Sequence, residues 1–106
     1  MSEATENQPI ERIILVNLKE GISEDQFNLV AQHGREVLGA IPGVEVVSLG
    51  IALNSGASHH YLVRLRFSDL DALKVYETHP NHTTYGLQEW LPIVTDEILN
   101  DYVIAY

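Results

Sequence analysis

From Arg12 to Leu18 nearly every position is apolar, with valine, leucine and isoleucine dominant, a run that predicts a strand covered on both faces. After a polar break, Ser23 predicts a helix start from two separate signals. Gln26, three residues on, completes a capping box, and Ile22 and Phe27 occupy the hydrophobic staple positions. Phe27, Val30, Ala31, Val37, Leu38 and Ile41, with Gly34, then recur at the i, i+3, i+4, i+7 spacing of one buried stripe, and His33, Arg35 and Glu36 fall outside it. Pro42 and Gly43 end the helix. Val44 to Leu53 reads as a second strand, and the turn-rich segment 54–58 joins it in a hairpin to a third, about His59 to Phe67. In that third strand Tyr61, Val63, Leu65 and Phe67 share the face expected under helices; His60, Leu62, Arg64 and Arg66 share the other.

Ser68 and Asp71 repeat the capping signature, opening a second helix with Leu70, Leu73 and Tyr76 down one side. It should stop near Thr78 or His79, because a residue before proline avoids the α region. Pro80 suits the first position of another helix, with Leu87, Trp90, Leu91 and Val94 as its expected buried stripe. Pro92 should kink or restart that helix, since the carbonyl of Gln88 loses its partner. Ile98 to Tyr106 reads as a fourth strand, its pattern weakened by Asn100 and Asp101. Residues 1–9 lack periodicity and read as a disordered tail, leaving 10–106 as one domain. The order β-α-β-β-α-β, with the second helix broken at Pro80, is the ferredoxin-like arrangement of the α+β class: a four-stranded antiparallel sheet with helices on one face and the other face bare. A bare face carrying isoleucine and valine must be covered, and a two-fold homodimer packed through sheet faces is the expected cover.

Composition narrows the chemistry. A length of 106 residues and 45% hydrophobic content describe a single soluble globular domain, whose modest core makes self-association a natural supplement. The absence of cysteine excludes disulfides, thiolate zinc sites and thiol chemistry. Fifteen acidic residues against six basic ones give a net charge of −9, which repels phosphate backbones and anionic membrane surfaces, so neither nucleic acid nor membrane is an expected partner. The polar, acidic start has no signal-peptide pattern, and the cytoplasm is the expected location. There is no glycine-rich phosphate loop, dinucleotide fingerprint or nucleophile elbow, and no cofactor is expected.

The informative stretch is Tyr76-Glu77-Thr78-His79-Pro80-Asn81-His82, a phenol and two imidazoles around one chain reversal. Tyr76 should point toward the sheet, three residues after Leu73, while His82 falls in the first turn of the next helix. The partial positive charge of that helix start favours a neutral, proton-accepting imidazole. Such a pair can remove a proton next to a carbonyl while the phenol hydrogen-bonds the developing oxyanion, so Tyr76 and His82 are the expected catalytic residues. The bland alternative is a core tyrosine and a loop histidine. A divalent ion held by His79, His82 and either His59 or His60 is a separate reading; without cysteine or an obvious carboxylate in the cluster, no metal is expected.

Strand one with Leu18-Lys19-Glu20-Gly21-Ile22-Ser23, the Ile41-Pro42-Gly43-Val44 turn, Phe67-Ser68-Asp69, Tyr76 with His79-Pro80-Asn81-His82, and Asp101-Tyr102 together resemble the stress-responsive A/B barrel (Dabb, dimeric α/β barrel) family over nearly the whole chain. The resemblance implies a sheet-to-sheet homodimer, and activities ranging from the plant polyketide cyclase that makes olivetolic acid to plant heat-stable proteins without a settled catalytic role. In the cyclase, the residues matching Tyr76 and His82 perform a cofactor-free aldol cyclisation. Its two further pocket histidines are replaced here by Arg12 and Tyr61, so the resemblance implies a different ligand. Arg12 would offer a charged fork to a carboxylate or enolate, and Tyr61 would add aromatic bulk. With His79 and Trp90 they form the expected substrate-binding set for a small molecule. The expected function is cofactor-independent cyclase, lyase or isomerase chemistry on a small carbonyl-bearing or aromatic substrate. The alternatives are a non-catalytic stress or binding protein and, by analogy of architecture, a cofactor-free monooxygenase.

Overall fold

The computed structural model of the chain describes residues 7–106, so most of the expected tail lies outside the described residues. Its end is tied to the sheet: Gln8 donates to the carbonyl of Ile104, and the Ile104 amide donates to Pro9. The strands are β1 (Ile10–Leu18), β2 (Val44–Ile51), β3 (Tyr61–Phe67) and β4 (Val94–Val103). They form one antiparallel sheet in the order β2-β3-β1-β4, the ferredoxin-like arrangement of the α+β class.

Helix α1 (Glu24–Gly39) begins at Ser23, whose side chain accepts from the Gln26 amide while Gln26 caps it in return, a closed capping box. Phe27, Gly34 and Leu38 are its buried residues, and Ile41 follows it into the core. Gly43 is required in the turn to β2 for two reasons. Its φ of +86° suits glycine, and a Cβ there would come within 2.5 Å of the Ala72 methyl. Helix α2 (Leu70–Thr78) is capped by Asp69, accepting from the Ala72 amide, and not by Ser68 as the capping pattern suggests. It ends at Thr78, and α3 (Pro80–Tyr85) starts on Pro80 at its first position.

The register places Ile10, Arg12, Ile14 and Val16 of β1 opposite Phe67, Leu65, Val63 and Tyr61 of β3 on the helix-covered face. Glu11, Ile13 and Leu15, with Leu62, Arg64 and Arg66, lie on the other face, which no element of the described residues covers. Strand β1 is therefore central, but among the described residues it is covered on one face only.

Three further expectations are corrected. Beyond α3 the backbone widens into a π-helical segment, Gly86–Trp90, closed by the Leu91 amide on the Gly86 carbonyl at 2.8 Å. The wider turn breaks the expected stripe: Trp90 and Val94 are buried, but Leu87 is 70% exposed and Leu91 51%. Pro92 ends this helical run without a restart, and β4 begins at Val94, four residues earlier than expected, because Val94 pairs with Leu18. Finally, β2 stops at Ile51 and β3 starts at Tyr61, which leaves His59 and His60 in the connecting loop.

Candidate active site

Tyr76 and His82 reach one place from two helices. Tyr76 sits near the end of α2 on its buried side, and its ring meets Phe67 of β3 edge-on with centroids 4.9 Å apart. His79 then turns the chain: its extended backbone ends α2, and its Nδ1 accepts the Asn81 amide of α3 at 3.0 Å. One turn further, the His82 imidazole stacks on the Tyr76 ring, 4.1 Å between centroids and 28° between planes. The Glu77 carbonyl, which can only accept, lies 3.3 Å from His82 Nδ1. Nδ1 therefore carries the proton, and Nε2 on the far edge of the ring is the basic lone pair.

Burial pushes the Tyr76 phenol well above its ordinary range, with the nearby Arg12 cation opposing and Glu77 and Asp101 reinforcing the shift. Tyr76 thus remains a hydrogen-bond donor at neutral pH. Its hydroxyl has no hydrogen-bond partner among the described residues and is not sealed from solvent.

Both rings line a cavity of about 420 Å³ between the helices and the sheet. Ile14, Val63 and Leu65 of the sheet form its floor, Trp90 of the π-helical segment lies in its wall, and the exposed Leu87 and Leu91 stand at its edge. Strand β4 bulges where the register slips between Leu15 and Asn17 and Asp96 adopts a φ of +56°, and Glu97, two residues before Leu99, lines the same cavity.

Arg12 also lines the cavity, with only 6% of its surface exposed. Its guanidinium carbon lies 5.9 Å from the Tyr76 ring centroid. Burial works against its charge, but hydrogen bonds to Asp101 and Glu77 outweigh that and hold its pKa above the ordinary arginine range. The fork expected to meet a ligand is engaged by these two carboxylates.

Of the six residues singled out in the sequence, the structure brings Tyr76, His82, Arg12 and Trp90 together and leaves two outside. Tyr61 packs on Phe27, 4.5 Å between ring centroids, away from the cavity lining. His79 caps α3. The histidines of the metal reading do not converge: His59 Nε2 bonds the Asp96 carbonyl, and among the described residues no group of three His, Cys, Asp or Glu is placed to hold an ion. Sequence reasoning missed Asp101 and Glu77 as partners of Arg12, and Glu97 as a cavity residue.

A family model described as the stress responsive A/B barrel domain, Dabb, matches residues 10–104. Among solved structures, a Dabb-family protein with a ferredoxin-like fold from Mesorhizobium loti superposes with a TM-score of 0.81 at 22% identity, over 93% of this chain and 99% of that one. A dimeric ferredoxin-like protein of unknown function from Thermobifida fusca gives 0.81 at 20% identity, over 92% of each. A hydroxynitrile lyase from Passiflora edulis gives 0.81 at 13% identity, over 92% of this chain and 94% of that one. No curated protein matches. At these identities the structural likeness establishes the fold, and the site has to be read from its own residues.

Proposed function

Because this chain belongs to the stress responsive A/B barrel domain family, we propose that it is a small cofactor-independent enzyme that carries out acid–base chemistry, of the cyclase or lyase kind, on a small carbonyl-bearing or aromatic substrate. The observation that carries the reading is the stacked Tyr76–His82 pair on the wall of the cavity, with His82 Nδ1 held by a backbone carbonyl. In the proposed reaction His82 Nε2 takes a proton from carbon or oxygen next to the substrate carbonyl. The Tyr76 hydroxyl donates a hydrogen bond to the oxygen that gains negative charge, and the electron pair then forms or breaks a carbon–carbon bond before the proton is returned. Similarity to a hydroxynitrile lyase of the same fold supports a lyase as an activity this architecture can host.

The test is deuterium exchange next to the carbonyl in a panel of aromatic ketones, followed by NMR with no metal or cofactor added. Wild-type protein should accelerate exchange, and His82→Ala and Tyr76→Phe should each lower it by about 10²-fold or more, the ordinary worth of a positioned acid or base. Exchange that survives both substitutions would leave the protein a binding module.

The same reading includes a two-fold homodimer through the uncovered sheet face. It is supported by half-buried Ile13 and Leu15 and 46%-exposed Ile98 on that face, and by the dimeric state of the Thermobifida fusca protein.

A further inference from the structure

Among the described residues lining the cavity, Arg12 is the one with a permanent positive charge, and an open guanidinium there would draw in carboxylates. Its donors are engaged within the protein. Nε and Nη2 donate to the two oxygens of Asp101 at 2.8 and 3.0 Å, and Nη2 and Nη1 donate to those of Glu77 at 3.1 and 3.5 Å. A guanidinium has about five N–H groups in all, so these bonds leave a single one, on Nη1. One N–H cannot make the two-pronged fork by which arginine captures a carboxylate. Two carboxylates against one guanidinium also leave the cluster negative, and Glu97 at the same cavity adds to that. Much of the remaining wall is aliphatic, Leu38, Leu49 and Leu99 with the sheet residues of the floor.

We propose that this cavity takes an uncharged, apolar carbonyl compound and rejects the carboxylate of the same shape, and that Asp101 and Glu77 set this selectivity by occupying the fork of Arg12. The inference rests on the cavity being the reaction site, but it concerns which molecule enters and not what happens to it.

Trp90 is the chain's single tryptophan and lies in the cavity wall, so its emission reads occupancy directly. Titrations at neutral pH should compare methyl naphthyl ketone with naphthoate, which have nearly the same shape and differ in charge. Wild-type protein should bind the ketone at least about tenfold more tightly, a difference readily resolved in such titrations. Asp101→Asn and Glu77→Gln each release part of the fork, and each should improve naphthoate binding by about fivefold or more while leaving the ketone within about twofold. Equal or tighter naphthoate binding by the wild type overturns the proposal, as does an unchanged preference in both variants when circular dichroism shows them folded. Should one variant not fold, the other decides; should neither fold, the wild-type preference decides. If neither ligand changes Trp90 emission, both this inference and the enzymatic reading are overturned. Ketone binding without catalysed deuterium exchange overturns the enzymatic reading alone.

Discussion

The Tyr76 hydroxyl is a donor held ready: burial keeps it protonated, and no described residue takes its hydrogen bond. Since no internal bond depends on it, Tyr76→Phe should change the stability measured by chemical denaturation by less than about 1 kcal/mol. Any loss of proton transfer in that variant then belongs to chemistry. Tyr85 differs. Its hydroxyl donates to the Val30 carbonyl at 2.7 Å, and its ring carbon Cζ would lie 2.7 Å from a Cβ added at Gly34. Gly34→Ala should therefore destabilise the protein by about 1–3 kcal/mol, the usual penalty for overpacking, as a fall in the urea midpoint would show. Tyr76 and His82 were legible in the sequence because their geometry is local. A helix stripe fixes one, and a proline two residues before the other fixes the reversal between them. The partners of Arg12 were not legible, because Asp101 lies 89 residues away and stands opposite Arg12 only once β1 and β4 have paired in register.

The break between α2 and α3 is what turns two helix positions into a site, and His79 stabilises it from within by accepting the Asn81 amide. His79→Ala should lose about 0.5–2 kcal/mol of stability, as cap removal ordinarily does, while His79→Asn should retain most of it because asparagine also caps well. Thermal unfolding of the two variants checks this. Proton transfer should fall with the cap in His79→Ala, because His82 sits in the turn that the cap begins. The elements themselves were legible wherever local signals agree, as at Ser23 and Pro80. They were misread where the signal is set by tertiary pairing or by a change of helical pitch. Val94 to Glu97 are strand because they pair with β1 and bulge there, and Leu87 and Leu91 leave the buried stripe because the π-helical turn rotates them out of the α-helical period.

For the whole molecule, the sheet face left bare by the described residues bears on both the proposed pairing and acid stability. If two copies pack through it, a charge placed at Ile98 has to be buried, and Ile98→Asp should sediment as a monomer in analytical ultracentrifugation while keeping its circular dichroism. Wild type should sediment as a dimer at the same concentration. One end of this face is charged but compensated: Glu11 accepts from Arg64 at 2.8 and 3.0 Å and from Arg66 at 2.9 Å. The hydrogen bond with Arg64 is the largest influence on Glu11, burial opposes it, and Arg66 adds to it, so the carboxyl titrates below its ordinary range. An unfolded glutamate titrates at about 4.3. Glu11 therefore contributes its full stabilisation above that pH and loses it as the pH falls through the lower folded-state value. Below it, two arginines per chain remain on the face with no counter-charge from Glu11, and two copies packed face to face would bring four together. Acidification from about pH 5 toward 3 should then weaken both folding and pairing, and Glu11→Gln should flatten that acid limb while lowering stability at neutral pH. Denaturation midpoints and sedimentation across this range test the point, and parallel acid limbs in wild type and Glu11→Gln would show that another group governs them.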